Sequence, residues 1–350
     1  MSALPDLTSV RARIGAVLVA EGKGDSPRDV VVLAVDGVGY AQAAACWTTA
    51  DITSLESVFP TVSATAWLSS TTGQSVDDHG VPGVYFTVDD DAPRSFLDRS
   101  VLPGPEAGTL FTDAAAASYE PVVLLGDLQH YPGAWRDRLI AGARAVTTPP
   151  LFTAAGGRPL GTAPNAVSAA LLAAVDAQRT HRRSPLLLWC YLELDTHVHF
   201  AGFDGYAEEV VAALGRAAEF LADQGAVVIA YADHGLTRTE HDPGLAAALT
   251  RLCAERSYRL GGAGRTRWLY CGDPPAEAAE VVENVLAPWQ EHVALEPADQ
   301  SFAPGSLARS RVGDLLLVAQ GERFLALPGH RYDHGSRLRD EMLVPFATWG

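Results

Sequence analysis

Four near-continuous apolar runs punctuate the chain: "DVVVLAVDG" over 29–37, "PVVLLGD" over 121–127, "PLLLWCYLELD" over 185–195 and "AVVIAYADHG" over 226–235. Runs of this length, rich in Val, Leu and Ile and closed by Gly or Asp, predict strands covered on both faces. Between them, "APNAVSAALLAAVDAQR" and "DGYAEEVVAALGRAAEFLADQ" repeat their apolar residues at helical spacing, with Asn165 and Asp204 near the expected N-caps. The alternation predicts an α/β fold, a doubly wound and mostly parallel sheet with helices on both sides. From 236 to 328 the pattern shortens to "RTRWLYCG", "PPAEAAEVVENVLAPWQ", "VALEP" and "VGDLLLVAQGERFLAL". These segments predict a small inserted α+β lobe, leaving 1–235 with 329–350 as the core. "DDDAPRSFLDRSVLPGPEAG" over 89–108 predicts an irregular surface excursion.

Composition narrows the class. With 350 residues, 48% hydrophobic and 19% charged, the chain has enough apolar material for one large core and a satellite. A net charge of -16 and a pI near 5.0, without any dense Lys/Arg run, exclude a nucleic-acid polymer as partner. Cys46, Cys190, Cys253 and Cys271 show no paired spacing and read as buried, reduced thiols. No stretch approaches the roughly 20 apolar residues of a membrane span, and "IGAVLVA" is too short for a signal core. The expectation is a soluble cytoplasmic protein.

The candidate chemistry lies where the strands end. Asp36 closes the first strand, Asp195 another, and Asp233 with His234 a fourth. The carboxyl ends of parallel strands open on one edge of a sheet, so these residues are expected to converge there. In "ELDTHVHFAG", Asp195, His197 and His199 alternate, so on a continuing strand they face one side, and Asp195 with His199 chelates one ion. His197 is the competing imidazole. "HRYDHGS" adds Asp333 and His334, with Gly335 allowing close backbone approach, while His330 reads as a surface residue. In "LESVFPTVSATAWLSSTTGQ", Pro60 ends one segment and a helix is expected to open near Thr61. The other hydroxyls, Ser63, Thr65, Ser69, Ser70, Thr71 and Thr72, are expected to satisfy helix backbone or to pack on neighbours. Arg238 and His197 are the weaker candidates for contact with substrate.

In order, "VDGVGY", "FPTVSATAWLSSTTGQSVDDHGVPG", "ELDTHVHFAG", "ADHG" and "DHGS" resemble the motifs of the alkaline phosphatase superfamily, and most closely its type I phosphodiesterase and nucleotide pyrophosphatase branch. The resemblance runs from about residue 30 to the C-terminus. It implies two divalent metal ions, most often Zn²⁺, with Mn²⁺ also suited to carboxylate and imidazole donors. Asp195, His199 and His334 would hold one ion, and Asp36, Asp233 and His234 the other. Thr61 would bind metal and attack phosphorus, passing through a phosphothreonine that water cleaves with net retention. His79 would be structural. The implied partner is a small phosphorylated, nucleotide-like molecule. A phosphomonoesterase, a phosphonate hydrolase or a catalytically silent binding protein of the same superfamily are the alternatives, and a sulfatase is excluded because no cysteine lies in a CxPxR segment.

Overall fold

Every residue of β1 (Val30–Asp36) is buried, as its uninterrupted Val and Leu content requires of a strand flanked on both faces. The computed structural model describes residues 4–24, 26–88, 92–98, 104, 107–131, 133–150, 163–180 and 182–350. Around β1 stands a seven-stranded sheet built with β2 (Asp51–Glu56), β3 (Glu120–Leu124), β4 (Arg144–Val146), β5 (Leu186–Glu193), β6 (Val227–Tyr231) and β11 (Leu343–Trp349). Its order is β2-β11-β6-β1-β5-β3-β4. The strands from β6 to β4 pair in parallel, and β11 runs antiparallel to both β6 and β2.

Helices cover both faces of this sheet. Along β5, Trp189 and Tyr191 face α1 (Ser63–Thr72), where Trp67 meets both rings edge-on at 5.7 Å. Cys190 points the other way and shares a cavity wall with Leu171 and Ala174 of α2 (Pro164–Thr180). α4 (Gly205–Asp223) is capped by Asp204, which accepts from the Ala207 amide, while Asn165 lies inside the first turn of α2.

A four-stranded antiparallel sheet follows, made of β7 (Arg259–Ala263), β8 (Thr266–Tyr270), β9 (Val293–Pro297) and β10 (Leu315–Ala319) in the order β7-β8-β10-β9. On one face Leu269, Leu315 and Leu317 pack with Leu249 of α5 (Pro243–Arg256) and Val282 of α6 (Pro275–Leu286). On the other, Trp268, Leu316 and Val318 join the main core. The small sheet therefore carries apolar residues on both sides.

Two local expectations are corrected. The strand does not run on past Glu193: α3 (Asp195–Ala201) begins at Asp195, so Asp195 and His199 are neighbours on a helix face instead of alternating on a strand. α1 opens at Ser63, two residues later than expected, because Val62 occupies the extended N-cap position without a side-chain acceptor. Half of the excursion expected over 89–108 lies outside the described residues, and Tyr85–Phe86 pairs with Arg94–Ser95. All four cysteines are free thiols, Cys190 buried and the others half-buried. Among the described residues no helix is long and apolar enough to cross a membrane.

Trp67 is fully buried and donates its indole hydrogen to Asp36 Oδ2 at 2.9 Å. Trp67→Ala is expected to lower unfolding free energy by about 3–5 kcal/mol, read from urea denaturation. A loss below about 1 kcal/mol would show that the aromatic cluster is not a keystone of the core.

Candidate metal centre

β6, β1 and β5 are adjacent and parallel, so their carboxyl ends share one edge of the sheet. Asp36 is the last residue of β1, Asp195 opens α3 just beyond β5, and Asp233 and His234 follow β6. His334 arrives from a segment whose short strand, Tyr332–Asp333, pairs with Thr237–Arg238. The expected convergence of distant segments is present in three dimensions. Asp36, Asp233 and His234 bring ligand atoms within 4.8 Å of one another, as do Asp195, His234 and His334.

Each carboxylate has one oxygen tied down or engaged and one left toward the cluster. Asp36 Oδ2 accepts from Tyr191 Oη at 2.6 Å and Trp67 Nε1 at 2.9 Å, which leaves Oδ1 at 3.7 Å from His234 Nε2. Asp233 Oδ1 accepts from the Gly37 amide, whereas its buried Oδ2 has no hydrogen-bond partner. Asp195 Oδ2 lies 3.0 Å from His199 Nε2, and its buried Oδ1 likewise has no hydrogen-bond partner, with His334 Nε2 at 3.7 Å. Orphaned buried carboxylate oxygens are costly and call for a cation.

The three imidazoles share one orientation. Nδ1 of His199 meets Tyr332 O at 2.8 Å, that of His234 meets Gly235 O at 3.3 Å, and that of His334 meets Thr61 O at 2.6 Å. A carbonyl only accepts, so Nδ1 carries the hydrogen in each ring and Nε2 is turned to the cluster as a donor for metal. Burial pushes His234 and His334 down to about 4, which keeps them neutral at physiological pH. Burial opposes charge on His199 too, but the Asp195 carboxylate outweighs it and lifts the group to about 10.

Carboxylates crowded together behave in kind. Burial, then the charge of Asp195, raises Asp36 to about 6, and burial with the charges of Asp36 and Asp195 holds Asp233 well above the usual range. Burial pushes Asp195 up as well, but the charge of His199 and its hydrogen bond more than offset it and keep Asp195 ionised. Three carboxylates and three imidazoles in a space this small are a donor set suited to divalent cations, and these residues fit the implied metals.

The structure contradicts the placement of Thr61 at this centre. Its hydroxyl is fully buried, accepts from the Gly335 amide at 2.8 Å, and faces Ser336 O at 3.0 Å and Glu341 Oε2 at 3.2 Å. Ser63, expected to serve helix backbone, instead turns its hydroxyl to His234 Nε2 at 3.1 Å and Asp36 Oδ1 at 3.3 Å. Among the remaining hydroxyls of α1, Ser70 and Thr71 bond Trp67 O and Thr72 bonds Leu68 O on the helix's own backbone, while Thr65 bonds Val81 O and Ser69 pairs with His79 on neighbouring chain. His79 accepts from the Val81 amide and is buried away from the centre.

Other positions also differ from the sequence reading. His197 leaves the ligand face of α3 and bonds Asp204 at 2.9 Å, and Arg238 is exposed beside Glu322, so neither reaches the centre. His330 is not on the surface: its side chain is only 12% exposed and its ring stacks on His199 at 4.2 Å. His199, His330 and Asp333 form a further group of donor atoms. Glu193, which sequence reasoning passed over, is 7% exposed and is raised to about 8 by burial. It lines a cleft of about 200 Å³ with Ser63, Phe96, Tyr131, Trp135 and Tyr191. Trp135 Nε1 donates to Ala64 O at 2.8 Å, pinning the first turn of α1 to the cleft wall.

Comparison with known proteins places this geometry in context. Curated protein sequences give no match. Among solved structures, the phosphonoacetate hydrolase from Sinorhizobium meliloti 1021, in complex with phosphonoformate, superposes with a TM-score of 0.67 at 18% identity, covering 92% of this chain and 89% of that one. Murine ectonucleotide pyrophosphatase / phosphodiesterase 5 gives 0.63 at 15% identity, covering 92% and 88%. An inactive form of the murine protein in complex with AMP gives 0.63 at 16% identity, with the same coverage. The structural likenesses establish the alkaline phosphatase-like fold. The family model for type I phosphodiesterase / nucleotide pyrophosphatase matches residues 44–335, and this chain therefore belongs to that family of metal-dependent phosphoric ester hydrolases.

Proposed function

We propose that this protein hydrolyses phosphodiesters of small, nucleotide-like molecules with two divalent cations, most suitably Zn²⁺, and with Ser63 in place of Thr61 as the nucleophile. The reading is carried by the position of Ser63 Oγ, between His234 Nε2 and Asp36 Oδ1 at the opening of α1. Asp36, Asp233 and His234 would hold one ion, and Asp195, His199 and His334 the other. When bound, such ions lower the pKa of a neighbouring hydroxyl and neutralise charge on the entering and leaving oxygens.

The chain's own groups do the rest. Ser63 and Ala64 are first-turn residues of a ten-residue helix, so their amides have no intrahelical acceptor and are available to phosphoryl oxygens. Ser63 Oγ gives its proton to water in the cleft and bonds to phosphorus as the bond from phosphorus to the leaving oxygen breaks, and that oxygen departs into the cleft. The resulting phosphoserine is then cleaved by water, and two displacements give net retention at phosphorus. Phe96, Tyr131 and Trp135 offer apolar walls for the organic part of the ester.

Ser63→Ala is expected to abolish turnover of bis-nitrophenyl phosphate while metal analysis still finds two equivalents bound. Thr61→Val, which leaves the buried Gly335 amide without its acceptor, is expected to cost about 1–3 kcal/mol of stability yet keep measurable turnover. An inactive Thr61→Val protein beside an active Ser63→Ala protein would reverse the assignment. Faster cleavage of mono- than of bis-nitrophenyl phosphate would replace the diesterase with a monoesterase.

Electrostatics give a second expectation. Because the folded protein raises Asp36 to about 6 from 3.8, its ionised form opposes folding, fully above pH 6 and progressively less as pH falls toward 3.8. After metal is stripped, Asp36→Asn is therefore expected to be more stable than the stripped parent at pH 8, by about 1–3 kcal/mol. The difference should shrink at pH 5, and thermal melts at both values provide the check.

A further inference from the structure

A buried ion pair outside the metal centre joins the small sheet to the segment that carries His334. Arg265 occupies the turn between β7 and β8, Glu341 precedes β11, and both side chains are fully buried with Arg265 Nε 2.8 Å from Glu341 Oε1. Arg265 also donates to Gly321 O at 2.8 Å and to Thr239 Oγ1 at 3.4 Å. Glu341 in turn receives the Ser336 amide at 2.5 Å and the Ser336 hydroxyl at 2.6 Å.

The same turn grips the segment through its backbone. The Arg265 amide donates to His334 O at 2.8 Å, and Thr266 Oγ1 donates to Gly335 O at 2.6 Å. Gly264 has a φ of +56°, and a Cβ there would lie 2.1 Å from His334 O, so the approach excludes any side chain. Thr61 closes the ring from the opposite side, with its hydroxyl on the Gly335 amide and its carbonyl on His334 Nδ1.

Desolvating two charges consumes most of what their attraction gains, and a well-packed apolar pair of equal volume is often as stable or more so. Stability alone therefore gives no reason for an Arg–Glu pair here. Direction does: the Glu341 carboxylate, held by Arg265 Nε, fixes the Ser336 amide and hydroxyl, while the Arg265 amide and Thr266 Oγ1 fix the carbonyls of His334 and Gly335, so that three successive residues take one arrangement. We propose that Arg265, acting through Glu341, is a positioning residue for His334, so that the β7–β8 turn sets the geometry of the ion site formed by Asp195, His199 and His334. The inference rests on the two-metal reading above for its metal consequence, but not for its structural one.

Two readouts on the full-length chain test it. Zn²⁺ titration of stripped protein against a chromophoric chelator reads the two equivalents, and amide hydrogen exchange reads residues 335 and 336 without any metal. The double variant Arg265→Met/Glu341→Leu removes both charges and keeps the site filled. It is expected to fold with a lowered melting temperature, because the buried Ser336 amide and hydroxyl lose their acceptor, to bind one equivalent at least about tenfold more weakly with the other within about twofold, and to exchange the Gly335 and Ser336 amides faster. Arg265→Lys, which keeps the charge but not the fork, should fall between.

A folded double variant with both affinities and both exchange rates unchanged overturns the proposal. Should it fail to fold, Thr266→Val removes a single bond to the same segment and is expected to shift the same equivalent and the same amides by a smaller factor. Parental values in that variant overturn it equally. If the parent itself binds no Zn²⁺, the two-metal reading fails, and unchanged exchange in the variants then separately removes the clamp.

Discussion

Like charges held close together out of water are the constraint on which this structure turns. Asp36, Asp195 and Asp233 come from three different strand ends to one buried place, and two of them keep an oxygen that no protein donor satisfies. Such an arrangement is unfavourable for folding unless cations complete it. Much of the surrounding architecture holds the arrangement in place. β1 lies inside the sheet with every residue buried, Trp67 and Tyr191 fix one oxygen of Asp36, and three backbone carbonyls set the tautomers of three imidazoles. The groups that bind are oriented by groups that do not titrate, so charge at the centre can change without the scaffold changing with it.

The two hydroxyls that follow Pro60 show how closely chemistry and scaffolding are interleaved. Thr61 and Ser63 are separated by Val62, whose extended conformation at the N-cap turns the chain from irregular backbone into helix. That turn sends the two side chains into different environments. Thr61 is absorbed into a hydrogen-bonded ring with Gly335, Ser336 and Glu341, and Ser63 is delivered to the carboxylates at a helix N-terminus. A hydroxyl absorbed into scaffolding thus sits two residues from one that faces the carboxylates, and each placement depends on where the helix begins.

This juxtaposition also explains what was legible in the sequence and what was not. Apolar runs as continuous as Val30–Asp36 and Leu186–Glu193 admit few alternatives to buried strands, and their terminal acids follow from the geometry of parallel sheets. The convergence of the candidate ligand residues was readable for that reason. The start of α1 was not, because Val62 provides no capping side chain and the chain offers hydroxyls at 61, 63 and 65 alike. A shift of two residues was enough to bring Ser63 rather than Thr61 to face the carboxylates. His197 misled in a similar way: alternation counts only while a strand lasts, and β5 ends at Glu193. Glu193, Arg265 and Glu341 carry no local signature at all, since their burial arises from contacts more distant in sequence than any motif spans.

The segment between 236 and 328 reads from its changing pattern as a satellite, yet β8 and β10 are apolar on both faces. Leu269, Leu315 and Leu317 face its own helices, and Trp268, Leu316 and Val318 face the main core. A sheet of that kind has no side suited to water, so it is stable only when sandwiched, and the main core is one half of the sandwich. The turn between β7 and β8 then lies where the sheet meets the His334 segment, with Arg265 fully enclosed. Position at this junction, more than any residue's own chemistry, is what gives a structural lobe access to a candidate metal ligand. His334, whose carbonyl takes the Arg265 amide and whose Nδ1 meets Thr61 O, is thus held from outside the parallel sheet, unlike the acids that the sheet's own strand ends present.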